Sequence, residues 1–130
     1  MFTLDTNTVV YFFKGAGRVD QRLLATPPSD ISIPAVVVYE LEAGIAQLTQ
    51  PSKRRAQLED LLSIVTVLPF DRQTAAAAGR VEAALRATGK PIGPMDTLIA
   101  GTALANRATL VTHNIREFQR VPGLSVVDWY

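Results

Sequence analysis

Short apolar runs alternate with longer amphipathic stretches along the chain. The short runs are rich in β-branched and large apolar residues and end at polar residues, Pro or Gly, which is typical of buried strands. Five strands are predicted on this basis, at Phe2–Leu4, Ile31–Ile33, Ile64–Leu68, Thr109–Thr112 and Leu124–Val127. Because the strands are short and apolar throughout, the pattern favours a parallel sheet that is covered on both faces.

The stretches between the strands carry the start and stop signals of helices. The predicted helices follow the first strand as far as Gly15–Gly17, and then span Val19–Ala25, Pro34 to about Leu48, Ser52 onward, Asp71–Thr88 and Pro94 to about Asn106. Pro34 suits the first turn of its helix, and Asp71 can cap the long one. The alternation predicts an α/β fold: a central, mainly parallel five-stranded sheet with helices on both faces, in a single domain of residues 1–130.

Composition narrows the classes of protein. Hydrophobic residues make up 48% of the chain and charged residues 19%, as in a globular protein. The chain has no cysteine, which excludes a disulfide framework and a thiolate zinc site. No apolar run reaches the roughly 18 residues of a membrane span and no basic-then-apolar leader is present, so a soluble cytoplasmic protein is expected.

The first strand ends on an acid, Asp5, followed by Thr6 and Asn7. A buried, unpaired carboxylate is costly, so Asp5 is expected at a strand end, at a helix cap or beside a cation. In parallel sheets, ligands bind outside the carboxyl ends of the strands. Asp5 is therefore placed where a binding site is expected.

Two further acids are candidates for the same end of the sheet. Glu40 lies beside the apolar stripe of its helix, formed by Val37, Leu41, Gly44, Ile45 and Leu48, whereas Glu42 points further away. A solvated helix carboxylate explains Glu40 about as well. Asp96 is in the first turn of the helix that Pro94 starts, where the helix dipole alone would favour it.

The fourth strand leads into polar residues as well. Asn114 and Glu117 follow Thr112, and His113 is the only histidine. Asn114 could equally cap a turn, Glu117 could be solvated, and His113 is interpreted as a hydrogen-bonded bystander. Asp5, Glu40, Asp96 and Glu117 nevertheless come from distant segments and are all predicted at one end of one sheet. Carboxylates that cluster need a cation, and oxygen ligands suit Mg²⁺ or Mn²⁺, which can activate water for phosphodiester hydrolysis.

The segments LDTN, YELEAG, PIGPMDTLIA and LVTHNIREF, with the closing VPGLSVVDW, resemble the PIN-domain ribonucleases, in particular the VapC toxins of bacterial toxin–antitoxin pairs. The resemblance covers nearly the whole chain. It implies a central parallel sheet with an acidic pocket, Mg²⁺- or Mn²⁺-dependent endoribonuclease activity, inhibition by a VapB-type antitoxin, and a homodimer. It implies metal ligation by Asp5 and Asp96, with Glu40 as the third regular acid.

The chain departs from the family pattern at one position. Many members carry an aspartate where this chain has Asn114, so the fourth acid is either replaced by the amide or supplied by Glu117. Thr6, Asn7, Thr112 and Asn114 are expected to orient the acids. The subgroup resembles toxins that cut transfer RNA, which makes the initiator tRNA anticodon stem-loop the expected substrate. Candidates for contacting its phosphates are Arg54, Arg55, Lys90 and Arg116.

Two other classes of protein are compatible with parts of the pattern. A haloacid-dehalogenase-type phosphatase also begins with an aspartate after its first strand, but it needs a second aspartate where this chain has Asn7. A catalytically silent PIN-like interaction module would not need Asp5, Glu40 and Asp96, so their presence disfavours it.

Overall fold

The computed structural model, which describes residues 1–130, contains the five predicted strands in one sheet. The strands are β1 (Phe2–Leu4), β2 (Ile31–Pro34), β3 (Thr66–Leu68), β4 (Thr109–Val111) and β5 (Val126–Val127). All pairs are parallel, and the strand order is β3-β2-β1-β4-β5. β1 is central, with Phe2 opposite both Ile31 and Thr109. The predicted α/β architecture is confirmed.

Seven α-helices and one 3₁₀ turn, Pro28–Asp30, connect the strands. The α-helices are α1 (Thr6–Lys14), α2 (Val19–Leu24), α3 (Ala35–Ala46), α4 (Ser52–Leu62), α5 (Arg72–Ala87), α6 (Pro94–Ala105) and α7 (Ile115–Phe118). Gly15 ends α1 in the left-handed conformation, and the Asp71 carboxylate accepts the Thr74 N–H at 2.9 Å as the predicted cap of α5. The short helix α7 was not predicted.

Several predicted boundaries are wrong for local reasons. Ile64 and Val65 are not in β3, because their N–H groups donate to the carbonyl of Leu61 and prolong the turn of α4. Leu124 likewise donates to Val121 and lies in the turn before β5. Pro34 is not in the first turn of α3. It is the last residue of β2, opposite Leu68, and its extended backbone leads into the helix.

The core is one cluster that the sheet and the helices share, with Leu4, Ile33, Ile99 and Leu110 fully buried. Helices α5 and α6 pack against each other more extensively than any other pair of elements. Gly101 makes this approach possible, since a Cβ there would lie 2.6 Å from Cα of Ala78. The contact fixes α6, which carries Asp96.

The strand order defines where a ligand can bind. From β1 the chain moves to β2 and β3 on one side, and after β3 it crosses back to β4 and β5 on the other. Such a reversal leaves a crevice at the carboxyl ends of the two strands that flank it, here β1 and β4. Asp5 follows β1, and Thr112 follows β4.

None of the helices combines the length and the apolar character that crossing a bilayer requires.

Candidate active site

Asp5 lies in the crevice between β1 and β4 and is 5% exposed. Its carboxylate accepts the Thr8 N–H at 2.8 Å and so caps α1, and its own N–H donates to the carbonyl of Val111 at 3.2 Å. The side chains of Thr112 and Thr8 also stabilise the ionised form. Burial outweighs these hydrogen bonds and raises the pKa of Asp5. The fold thus holds a carboxylate at a position where its charge is disfavoured.

The pKa of Asp96 is raised by burial and by the charges of the other acids of the site. It lies in the first turn of α6, half-buried. Burial first, and then the charges of Asp5, Glu117 and Glu40 in that order, together raise the pKa of Asp96 to about 6. Acids from three other segments therefore act on Asp96. A bound cation would relieve this repulsion.

Glu40 is half-buried, and its Oε1 accepts the Thr6 hydroxyl at 2.6 Å. Its helix buries Val37, Leu41 and Ile45, which agrees with the predicted stripe. The rest of that stripe is wrong: Gly44 is exposed, and Leu48 lies beyond the end of α3 and is 46% exposed.

Asn114 and Glu117 lie together at the start of α7. The Asn114 side-chain amide donates to Glu117 Oε2 at 2.9 Å, and the Asn114 N–H donates to the Thr112 hydroxyl at 2.9 Å. Asn114 does not cap α7 with its side chain. The two residues that the sequence offered as alternatives for the fourth position are thus partners, with the amide orienting the carboxylate.

The acids and amides of the site offer oxygen donors, and His113 is the one imidazole at the cleft. No group of three or more His, Asp or Glu side chains is close enough to hold one ion jointly. A cation here would have at most two carboxylate ligands and would complete its shell with water or substrate oxygens. That arrangement suits Mg²⁺, which retains several waters in protein sites.

The four basic candidates for RNA contact fall into two groups. Arg55 forms ion pairs with Glu42 and Glu59, and the Arg54 guanidinium lies over the Phe13 ring, 5.3 Å from its centroid. Both side chains therefore already have partners within the chain. Lys90 and Arg116 are exposed and form no ion pair.

The sequence analysis did not identify two residues of the site, Tyr11 and Asp128. A cleft of about 210 Å³ is lined by Asp5, Asn7, Tyr11, His113 and Asn114. Asp128 follows β5 and its charge contributes to raising the pKa of Asp5. The same rule that singled out Asp5, an acid directly after a buried strand, could have found Asp128. Tyr11 carried no such signal, because its position opposite His113 depends on the fold.

Comparisons with known proteins agree with this geometry. The PIN domain profile matches residues 2–124. The chain is 34% identical to the tRNA(fMet)-specific endonuclease VapC of Salmonella typhimurium, over 98% of this chain and 97% of that protein. It is 33% identical to ribonuclease VapC2 of Rickettsia felis, over 99% and 98%.

A solved structure has the same fold. In DNA-bound VapBC from Salmonella typhimurium, one chain superposes with a TM-score of 0.92 at 34% identity, over 99% of this chain and 98% of that one. The fold of this chain is thus one that is known from experiment.

Proposed function

Because the chain belongs to the PIN-domain family and, within it, to the VapC ribonucleases, we propose that it is a metal-dependent endoribonuclease and the toxin of a toxin–antitoxin pair. The observation that carries the proposal is that burial and the charges of Asp5, Glu117 and Glu40 raise the pKa of Asp96 at the carboxyl end of the sheet. Three acids that disfavour the charge of a fourth, Asp96, at a strand-end crevice are explained by a cation. A cytoplasmic location is proposed with this function, because the RNA substrate is found there.

Nucleases of the PIN-domain family generally depend on a divalent metal, and we propose Mg²⁺, with Mn²⁺ able to replace it. Asp5 and Asp96 are its proposed ligands. When bound, the ion would lower the pKa of a coordinated water and neutralise charge on the phosphate. The proposed ligands are oxygen donors, and His113, the one imidazole at the cleft, has its Nδ1 beside Asp128, which supports a hard cation over zinc.

The other residues have supporting roles in the proposal. Glu40 orients the attacking water and accepts its proton, and the Thr6 hydroxyl holds Glu40 for that task through the 2.6 Å hydrogen bond. Glu117 supports the outer part of the site, oriented by Asn114. Thr112 contacts both Asp5 and the backbone of Asn114, so it fixes the distance between the two sides of the crevice. Asn7 lines the cleft, where it can bind a phosphate oxygen.

We propose transfer RNA as the substrate, and the anticodon stem-loop of initiator tRNA as the target within it. The support is the Salmonella relative that is named a tRNA(fMet)-specific endonuclease and that aligns over 98% of this chain.

The test is incubation of the purified protein with total RNA, followed by mapping of the new ends. Cleavage is expected with Mg²⁺ or Mn²⁺ and is expected to vanish in EDTA, with ends concentrated in one tRNA. Cleavage that persists in EDTA would show that the reaction does not depend on a divalent metal. No cleavage under any condition would favour the silent interaction module.

An apolar groove supports the proposed antitoxin partner. Phe12, Phe13, Leu23, Leu24, Leu61 and Ile64 line a groove of about 260 Å³ between α1, α2 and α4. Leu24 is 77% exposed and Ile64 is 55% exposed. Such a groove suits the apolar face of an amphipathic helix.

Co-expression with a VapB-type antitoxin tests this partner. The two proteins are expected to co-purify, and Leu24→Asp is expected to separate them while Leu48→Asp, outside the groove, does not. We also propose a homodimer, and sedimentation as a monomer at micromolar concentration would count against it.

A further inference from the structure

Two rings are stacked at the rim of the Asp5 cleft. The His113 and Tyr130 rings are nearly parallel, with centroids 4.2 Å apart and an interplanar angle of 21°. Tyr11 packs its ring edge-to-face with both, at 5.9 Å from His113 and 4.9 Å from Tyr130. His113 and Tyr11 also line the cleft that contains Asp5. The stack is therefore adjacent to the acids of the site.

Hydrogen bonds anchor the stack, yet much of it is open to solvent. Asp128 anchors both ring residues: its Oδ2 lies 2.8 Å from His113 Nδ1, and its Oδ1 accepts the Tyr130 N–H at 2.8 Å. The Tyr130 carbonyl accepts the Arg18 N–H at 2.7 Å. The His113 side chain nevertheless remains 47% exposed and Tyr130 46% exposed.

The backbone around the stack is adapted to this contact. Gly17 has φ +63°, and a Cβ there would lie 2.7 Å from the Tyr130 carbonyl oxygen and 2.8 Å from its ring. A side chain at position 17 would displace Tyr130. Glycine thus permits the segment that precedes α2 to hold Tyr130 against His113.

Positive charge lies on the other side of Tyr130. Arg18 and Arg22 line a second cleft, of about 280 Å³, together with Asp128, Trp129 and Tyr130. Neither arginine forms an ion pair within the chain. An acidic cleft, an aromatic surface and two free guanidinium groups therefore follow one another along this end of the molecule.

We propose that the His113–Tyr130 stack is a base-binding platform for single-stranded RNA, on which a nucleobase adjacent to the cleaved phosphate stacks, while Arg18 and Arg22 bind the next phosphates. The inference rests on the proposed ribonuclease function, since it assigns RNA to the Asp5 cleft. Bases stack on exposed aromatic side chains in sequence-tolerant binding sites, and arginines follow the backbone. Because the rings are already ordered, little conformational entropy is lost when a base joins them.

Binding of RNA in EDTA tests the platform without cleavage. The probe is a labelled single-stranded oligoribonucleotide of about eight nucleotides, compared with a strand of equal length that carries abasic sites. Tyr130→Leu is expected to weaken binding of the base-bearing strand by about tenfold and to leave the abasic strand unaffected. Tyr130→Phe keeps the ring and is expected to bind like the wild type. Tyr39→Leu is the matched control, because Tyr39 is 61% exposed and stacks on no other ring.

The wild-type protein provides a second readout that needs no variant. His113 is the only histidine, so its ring protons give an unambiguous NMR signal. They are expected to move upfield when the base-bearing strand saturates the protein, and to stay in place with the abasic strand. Arg22→Gln is expected to weaken binding of both strands alike, and unchanged affinity for the abasic strand would overturn the phosphate contact.

The outcomes separate the two proposals. A wild type that cleaves RNA while Tyr130→Leu binds both strands normally and the His113 signal does not move would overturn the platform alone. The thermal unfolding temperature of Tyr130→Leu is measured as a control. A value equal to that of the wild type shows that weaker RNA binding does not result from unfolding. A wild type that neither binds nor cleaves RNA would overturn the ribonuclease proposal and the platform with it.

Discussion

Asp5 combines a structural and a chemical role in one side chain. It caps α1 by accepting the Thr8 N–H, and it is buried next to the other acids of the crevice. Asp71 caps α5 in the same way, but it is exposed at the surface. The two aspartates therefore share the capping role, and only Asp5 lies in the crevice. Asp71 therefore provides a matched control for the chemical role of Asp5.

Asp5→Asn is expected to reduce RNA cleavage by orders of magnitude while the protein stays folded. Asparagine caps a helix about as well as aspartate but is a far weaker metal ligand. Asp71→Asn should leave cleavage unchanged. Rates of RNA cleavage, with circular dichroism as the check on folding, measure both. Wild-type turnover in Asp5→Asn would remove Asp5 from the chemistry.

The raised pKa of Asp96 predicts a pH-dependent stability. Its pKa is about 6 in the folded protein against an ordinary value of 3.8, so the folded state binds this proton more tightly than the unfolded state. The metal-free protein therefore loses stability as the pH rises from about 4 to about 6, and the loss persists above pH 6.

Asp96→Asn should consequently stabilise the metal-free protein at pH 8 by about 1 kcal/mol, a modest value because solvent screens a half-buried group. The gain should fall to a small fraction near pH 4, where the Asp96 carboxyl of the folded wild type is protonated and is therefore as uncharged as asparagine. Urea unfolding in EDTA at the two pH values measures it. Added Mg²⁺ should stabilise the wild type and not the variant. An equal gain at both pH values would point to packing instead of charge.

At the scale of elements, the α5–α6 contact determines where Asp96 lies. Gly101 sits against the backbone of Ala78, whereas a methyl group added at Gly79 on the neighbouring helix would meet open space. Replacing a helical glycine by alanine has two effects: it increases helix propensity, and it can prevent the close approach of a neighbouring helix. Gly101 and Gly79 separate these effects, because only Gly101 lies against another helix.

Gly101→Ala is expected to destabilise the protein by about 1–3 kcal/mol, because the added methyl group forces the two helices apart. Gly79→Ala should stabilise it by about 0.5–1 kcal/mol through helix propensity. Denaturant unfolding of both variants measures the difference. Two changes of the same sign would mean that α6 can shift without cost, and that the fold does not fix Asp96 through this contact.

At the scale of the whole molecule, charge distribution decides how RNA is attracted. Ten of the thirteen Lys and Arg residues lie between Lys53 and Arg120, but several of them are engaged within the chain. Arg55 pairs with Glu42 and Glu59, and Arg86 pairs with Glu82 at 2.5 Å. Lys90 and Arg116 remain free to bind phosphates.

RNA binding is expected to weaken steeply with salt, because each phosphate contact releases counterions. Lys90→Gln and Arg116→Gln should each reduce the salt dependence by about one contact. Arg55→Gln should change the affinity little. Titrations of labelled RNA in EDTA at several salt concentrations measure this. An equal reduction by Arg55→Gln would show that its ion pairs open when RNA binds.

The sequence by itself determined the five strands and the helices α1 to α6, and it singled out the acid after the first strand. Buried strands need continuous apolar runs, so five of them were visible, and an acid directly after the first run marked the binding edge. The cap of α5 by Asp71 and the end of α1 near Gly15 followed from local backbone chemistry. Such features depend on neighbours along the chain, which is why the sequence reveals them.

Only the tertiary structure decided which side chains meet. The order β3-β2-β1-β4-β5 brings β4 next to β1 and β5 next to β4, and no local pattern encodes that order. That order joins His113, Asp128 and Tyr130 to the Asp5 cleft, whereas the pairing of Asn114 with Glu117 is local to one turn of the chain. The packing of the helices also brings Arg54 over Phe13 and Arg55 next to Glu42. Such contacts form between whichever groups the packing places within reach.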